Sequence, residues 1–459
     1  MEKHLHFIGI GGIGMSAIAK IMLGMGFKIS GSDLKEAPLT IDLAADGAHI
    51  YYSHAAANIG DDVEAVVYSS AVKESNPEMR EARRRGLKVY KRAEMLSYLM
   101  STRVSIGVAG AHGKTTTSGM IATMLEYADQ QPTIIIGGML PAIGGGNAKA
   151  GLGRHLVAEA DESDGTFLLL RPAIAVVTNI EADHLDYYHN FDNIVSAFAQ
   201  YLRQVPEQGF AVVCADCEIA AQLARQECAH YISYALHHEA DYTAADIVHG
   251  TNGVSADVYA HQQRLGRLQL AVPGAHNVAN ALAAIAVGCE LGLSFEQCAA
   301  ALAHFTGTGR RFEYLGHAGS TPVIDDYAHH PTEISATIQA ARDMGAGKLL
   351  AVFQPHRYSR TQSMFAEFAQ ALYNADTVIL NEIYPAFEQP IEGVSAQLIV
   401  DHLRKLGHTS VLYAADIEQA KQLVAQNIED KDMLLIMGAG NIRALGEQYL
   451  DDMRRSKGE

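Results

Sequence analysis

Val104-Ser105-Ile106-Gly107-Val108-Ala109 runs directly into Gly110-Ala111-His112-Gly113-Lys114-Thr115-Thr116-Thr117 and then into the helix-like stretch Ser118 to Tyr127. An apolar strand, a glycine turn carrying Lys-Thr and a helix, in that order, build a phosphate cradle. The turn's N–H groups converge on the phosphates and the helix N-terminus adds partial positive charge; Lys114 reaches the outer phosphates, and the Thr115 hydroxyl is placed to ligate Mg²⁺. Gly110 and Gly113 stand closer together than in the usual motif, and Gly107, three places before Gly110, is read as its further glycine. A strand-to-helix turn without a ligand would need only the same residues. The apolar strand before it and the helix after it favour a nucleoside triphosphate site made of Gly110, His112, Gly113, Lys114, Thr115 and Thr116, in an α/β fold.

Upstream, His4 to Ile10 reads as a strand and Met15 to Met25 as a helix, and Gly9-Ile10-Gly11-Gly12-Ile13-Gly14 between them matches G-x-G-x-x-G. Asp33 ends the next apolar run, which taken alone says dinucleotide. The physics of such a turn recognises a pyrophosphate and is silent about what hangs on either side, so a UDP-sugar fits as well. Further alternation (Ala65 to Tyr68, Pro77 to Arg85, Leu87 to Tyr90, Ala93 to Met100) completes a Rossmann-like N-terminal domain over residues 1–102. Arg83-Arg84-Arg85 reads as a solvated helix end.

Downstream of the cradle, Gly137-Gly138 to Gly144-Gly145-Gly146 reads as a loop. A strand from His155 to Ala158 leads into Glu159-Ala160-Asp161-Glu162-Ser163-Asp164, and a strand from Ala173 to Val177 ends in Thr178-Asn179-Ile180-Glu181-Ala182-Asp183-His184. Carboxylates crowded at a strand end repel one another, and a divalent cation holds them together; polar loops with helix caps are the plainer alternative. Asn277 and Asn280 share one helix face, where they meet an adenine edge or simply start the helix. Phe305 to Glu313, with glycines around Arg310-Arg311, reads as a charged hinge closing a central P-loop ATPase-like domain over residues 103–310. The remainder, 311–459, alternates again into a C-terminal Rossmann-like domain whose ligands lie outside the carboxyl ends of strands. There stand Asp325 to Pro331, Gln354 to Arg360 and Gly438 to Asn441. Arg357 and Arg360 suit a carboxylate or phosphate clamp, or one of them a surface ion pair.

A chain of 459 residues exceeds what one core supports. The net charge of −17 argues against a nucleic-acid partner. No apolar run is long enough to span a bilayer and the N-terminus has no signal-like segment, so a cytoplasmic protein without membrane insertion is expected. Cys214, Cys217, Cys228, Cys289 and Cys298 are odd in number and complete no zinc set, so reduced thiols are expected. The oligomeric state stays open between a monomer and a weak dimer.

In order along essentially the whole chain, HFIGIGGIGMS, GAHGKTTT, EADESDGTF, TNIEADHLDYY, PGAHNVANA, FTGTGRRFE, DDYAHHPTE and FQPHRYSRT resemble the Mur ligase family. GIGGIGMS, GRRFE, DYAHHPTE and QPHRYSRT are similar to the forms in members that add L-alanine to UDP-N-acetylmuramate. The resemblance implies three α/β domains, ATP and Mg²⁺ as cofactors, and an amide-forming ligase that passes through an acyl phosphate in peptidoglycan synthesis. It puts a UDP-sugar, not a dinucleotide, on the first glycine turn, with Gly11, Gly12, Ile13, Gly14, Asp33, His54, Ser69 and Ser70 as its residues. It further implies Lys114 on the ATP phosphates, Thr115 and Glu162 on one Mg²⁺ and His184 on a second. Asn277 and Asn280 would meet adenine, Arg311 and Asp326 would reach ATP, and His329, Arg357 and Arg360 would face muramate and alanine. His329 is either the base for the alanine ammonium or a group that orients substrate. Several sister ligases carry a lysine carbamate after the DHLD-like segment; Tyr187 to Arg203 contains no lysine, as expected of alanine-adding members. A sister ligase that adds a peptide, a nicotinamide oxidoreductase and a non-catalytic ATP-gated binding protein remain as alternatives.

Overall fold

Apolar runs bounded by glycine turns and well-capped helices organise the chain into three sheets. The computed structural model describes residues 3–69, 71–251, 253–386 and 388–457. In the first sheet the spatial order is His49–Tyr51, Lys28–Ser32, His4–Ile8, Ala65–Tyr68, Lys88–Lys91, all parallel. Strand order reverses beside His4–Ile8, so the crevice outside its carboxyl end and that of Ala65–Tyr68 is the ligand position of such a sheet. Helix Pro77–Arg84 starts where Asn76 accepts from the backbone N–H of Glu78 and Met79 and Pro77 presets the first turn. The arginines that follow pair with Glu74, Glu81 and Asp61 at the surface.

The second sheet has the order Gln263–Leu270, Gly253–Ala260, Tyr242–Gly250, Tyr231–Ala235, Phe210–Cys214, Ile174–Val177, Val104–Ala109, His155–Glu159, Thr133–Leu140, Gly146–Lys149. Val104–Ala109 lies between Ile174–Val177 and His155–Glu159, parallel to both, with Ile106, Val108 and Ala109 fully buried. Such a run, apolar at successive positions, marks a strand covered on both faces.

Only the middle of the glycine-rich stretch, residues 141–145, is a loop; Gly137, Gly138 and Gly146 lie in strands. Thr133–Leu140 pairs with His155–Glu159 and antiparallel with Gly146–Lys149, because Ile134, Ile135 and Ile136 supply a buried strand before the glycines. Gly137 N–H donates to Glu159 Oε1 at 2.6 Å, and a Cβ on Gly137 would stand 3.0 Å from Oε2, so the carboxylate takes the space a side chain would fill.

In the third sheet the order is Glu313–Ala318, Thr321–Asp326, Met433–Met437, Leu349–Phe353, Thr377–Asn381, Val411–Ala414, with only the first pair antiparallel. The chain forms two compact units. One holds residues 1–245, 257–268 and 279–305, the other 246–256, 269–278 and 306–459. The first two sheets share one apolar cluster, running from Phe7, Ile18 and Leu96 to Ala109, Val177 and Val213. Among the described residues no helix is long and apolar enough to cross a membrane, and the five cysteines are unpaired.

Candidate active site

Helix Lys114–Tyr127 begins at Gly113, φ 83°, with no side chain capping its first N–H groups. Those amides are the donors an anion needs. Gly110 has φ 134°, and a Cβ there would stand 2.1 Å from Thr178 Oγ1. Neither position accepts another residue without strain. The amide of Asn179 clamps the His112 peptide from both sides, accepting from its N–H at 2.9 Å and donating to its carbonyl at 3.0 Å; Thr178 Oγ1 donates to that carbonyl at 2.5 Å. Asn280 packs on the far side of the turn, its Oδ1 accepting from Thr117 Oγ1 at 3.2 Å. Gly107 does not join the turn. It lies within the strand, its carbonyl accepting from Tyr201 Oη at 3.0 Å, and a Cβ there would stand 2.5 Å from that oxygen.

Lys114 Nζ donates to Gly110 O at 2.6 Å, Ala111 O at 3.2 Å and Glu162 Oε1 at 3.0 Å. Burial pulls an ammonium's pKa down, but the charges of Glu162 and Asp161 outweigh it and hold Lys114 above the ordinary lysine value. Burial, with the like charge of Asp161 added, raises Glu162 against the opposing pull of Lys114.

Asp161, Glu162 and, more weakly, Glu159 place negative charge at the lysine. Glu159 also accepts from Gly137 N–H, and Asp164 accepts from the N–H and hydroxyl of Thr166. His184, at φ 54°, brings Nε2 to 3.8 Å from Glu162 Oε1 and 3.5 Å from Asp183 Oδ2. Glu162 Oε2 is buried without a hydrogen-bond partner, an oxygen a cation would satisfy. Thr115 is buried and Thr116 half-buried in the first helical turn.

At the first glycine turn, Gly9 N and Ile10 N donate to Ser32 O at 2.8 and 3.0 Å, and helix Ile13–Gly24 starts at Gly12 without a side-chain cap. Asp33 is occupied by backbone, accepting from Gly11 N at 2.8 Å and Leu34 N at 2.7 Å. Ser69 lies opposite Gly9, His54 contacts Ser32, and Ser70 falls outside the described residues. The motif reading missed two neighbours of this turn. Arg92 lies so close to Gly14 that a Cβ there would meet its Nη1 at 3.0 Å, and Asn147 Nδ2 donates to Ile13 O at 2.7 Å. A basic residue at the carboxyl end of a parallel strand was the available signal for Arg92; Asn147 directly follows the glycine-rich stretch read as a loop.

In the other unit, Asp326 accepts from Phe312 N at 2.8 Å and Ala328 N at 2.7 Å. Burial pushes its pKa up to about 6 against the pull of Arg311. Arg310 is anchored by Asp325 at 3.1 Å and by the carbonyls of Gly438 and Gly440 at 2.8 and 3.3 Å. Glu333, which the motif reading passed over, joins two predicted residues: its Oε1 lies 3.4 Å from Arg311 Nη1, and its Oε2 accepts from His329 N at 3.0 Å. His329 Nδ1 faces the Tyr327 carbonyl at 3.0 Å, so Nδ1 carries the proton and Nε2 is the basic nitrogen of the neutral ring. Arg357 caps helix Tyr358–Leu372 at φ 73°, its N–H held by Tyr384 O at 2.9 Å. Arg360 stands in that helix's first turn. Asn277 Nδ2 donates to Pro273 O at 2.7 Å, within its own helix start.

A lysine between turn carbonyls and a buried glutamate, beside a histidine and an uncapped helix, suits the handling of phosphate groups, and the chain is similar to known proteins along its whole length. Residues 4–104 match the model of the Mur ligase family catalytic domain, 108–288 that of the Mur ligase middle domain and 310–440 that of the Mur ligase glutamate ligase domain. The chain is similar to the UDP-N-acetylmuramate–L-alanine ligase of Pelotomaculum thermopropionicum, with 48% identity over 99% of each chain. It is also similar to that of Desulforamulus reducens, 47% identical over 98% of this chain and 97% of the relative. The crystal structure of UDP-N-acetylmuramate-alanine ligase from Thermotoga maritima superposes with a TM-score of 0.84 at 30% identity, covering 99% of each chain. Site geometry, three consecutive domain matches and full-length similarity converge: this chain is a member of the Mur ligase family.

Proposed function

We infer that the protein joins L-alanine to the lactyl carboxylate of UDP-N-acetylmuramate with ATP, in the cytoplasmic assembly of the peptidoglycan precursor. The sugar nucleotide is held by residues 1–102, ATP by 103–310 and alanine by 311–459. The observation that carries the reading is Lys114 held by the turn carbonyls and Glu162, in a chain nearly half identical throughout to alanine-adding ligases. A nicotinamide oxidoreductase would leave the Lys114 cradle without a purpose.

A carboxylate is a poor acyl donor because its leaving group would be oxide. Transfer of the γ-phosphoryl group to a lactyl oxygen releases ADP and makes phosphate the leaving group. That encounter of anions needs positive charge, and Lys114 with the uncapped first N–H groups of helix Lys114–Tyr127 supplies it. Thr115, Glu162 and His184 would hold Mg²⁺, which when bound adds positive charge at the phosphates. The alanine nitrogen, having lost a proton to His329 Nε2, attacks the acyl carbon; the C–N bond forms and the C–O bond to phosphate breaks. Arg357 and Arg360 hold the alanine carboxylate.

Phosphate release measured with UDP-N-acetylmuramate, ATP and Mg²⁺, run with each amino acid and with a tripeptide in separate reactions, tests this. Release with L-alanine above all others is expected. Release with the tripeptide alone would mark a peptide-adding ligase.

A further inference from the structure

Glu78, in helix Pro77–Arg84, is a carboxylate with no exposed surface, and no step above uses it. Four side chains turn toward it. Ser32 Oγ donates to Oε2 at 2.7 Å and His54 Nδ1 lies 2.9 Å from the same oxygen. Asn58 Nδ2 donates to Oε1 at 2.6 Å, and His6 Nε2 stands 3.6 Å from it. An ionised carboxylate only accepts, and the single Ser32 proton is committed to it, so the His54 nitrogen facing both must itself carry a proton. The ring is thereby set with Nδ1–H inward and Nε2 on its accessible edge, the side chain being 20% exposed. Asn58 Nδ2 also donates to Ser53 O at 2.8 Å, so the same carboxylate ties down the residue before His54. Ser32 completes the link, because its carbonyl accepts the Gly9 and Ile10 N–H groups of the glycine turn while its hydroxyl serves Glu78.

We propose that Glu78 is the positioning residue of the sugar-nucleotide site, fixing the tautomer and orientation of His54 so that Nε2 meets UDP-N-acetylmuramate beside the glycine turn. This rests on the reading of the first sheet as the UDP-sugar site. A carboxylate holding one imidazole nitrogen so that the other meets a ligand is the logic of outer-shell carboxylates generally. Here it acts on a binding histidine. The stretch Pro77 to Arg85 reads as a helix with a solvated arginine end, so nothing in its pattern singles out Glu78; only the fold brings Ser32, His54 and Asn58 around it.

The test is a double-mutant cycle. Calorimetric titration with UDP-N-acetylmuramate, and steady-state KM values with ATP and alanine, are measured for wild type, His54→Ala, Glu78→Gln and the double variant. Each single variant is expected to weaken UDP-N-acetylmuramate binding about tenfold, the scale of one lost charge-assisted hydrogen bond, with the KM for ATP unchanged. The double variant should bind no more weakly than His54→Ala, because a residue acting through His54 has nothing left to position. Additive losses, or wild-type affinity in Glu78→Gln, would overturn the proposal. Should Glu78→Gln fail to fold, Ser32→Ala takes its place in the same cycle with the same two outcomes, since its carbonyl still holds the glycine turn. Absence of binding by the wild type would overturn the functional reading itself and this inference with it, an outcome visible before any variant is made.

Discussion

At the residue scale, one half-buried and one fully buried charge carry the molecule's chemistry in opposite ways. Lys114 is a cation kept charged by carboxylates around it, and its contribution grows as charge concentrates on a transferring phosphoryl group. Lys114→Ala should lower kcat about 10²-fold, as removal of one preorganised donor does elsewhere, while calorimetry finds UDP-N-acetylmuramate affinity unchanged. Retention of wild-type kcat would remove the lysine from the mechanism. Glu78 is an anion kept charged by neutral and imidazole donors. Burial alone would raise its pKa; His6 facing it at 3.6 Å, with hydrogen bonds from Ser32, Asn58 and His54, outweighs that and holds it at about 2. A carboxylate depressed on folding stabilises above the unfolded glutamate range and loses that contribution as pH falls toward its folded pKa. The stability difference between wild type and Glu78→Gln should therefore be full at pH 6 and shrink steadily from pH 4.5 downward. Urea melts across that range check it, and a difference that stays constant with pH would contradict the ionised assignment.

Elements fix where these charges stand. The 110–113 turn works because two glycines take backbone angles closed to other residues and because Thr178 and Asn179, from the neighbouring strand end, fill the space where side chains would be. Gly110→Ala should cost about 2 kcal/mol or more of stability and weaken ATP binding with it. Thermal melts with and without ATP report both effects, and an unchanged melt would show that the turn tolerates a Cβ. Arg357 is the opposite case. A non-glycine residue at φ 73° stores strain of about 1–3 kcal/mol, a cost usually found at ligand sites. Arg357→Lys, which keeps the charge and loses the planar fork, should raise the KM for alanine at least tenfold more than the KM for ATP. Equal changes in both would place Arg357 outside the alanine site.

For the whole molecule, the first two sheets share a continuous apolar cluster, whereas the third sheet has apolar clusters of its own on its two faces. Scanning calorimetry should show residues of the first two sheets unfolding in one transition, raised by UDP-N-acetylmuramate through mass action and unmoved by alanine alone. Separate transitions for the two sheets would break that coupling. The alternation of apolar runs and capped helices made the three α/β layers legible in the chain, and Gly-Lys-Thr between a strand and a helix made the cradle legible, because both depend on residues adjacent in sequence. What could not be read there depends on neighbours from distant strands. Gly107 looked like a cradle glycine until Tyr201 filled its place, and nothing local to Asp33 shows that its oxygens accept from the backbone N–H groups of Gly11 and Leu34. Glu159 reads as one of a crowd of carboxylates, and only the fold brings the Gly137 N–H to it. Gly137 and Gly138 looked like part of a loop until the strand His155–Glu159 paired with Thr133 to Ile135 just before them. Local pattern carries backbone conformation and residue chemistry, but whether a polar side chain is free for a ligand depends on which buried donors and acceptors folding brings against it, and those come from anywhere in the chain.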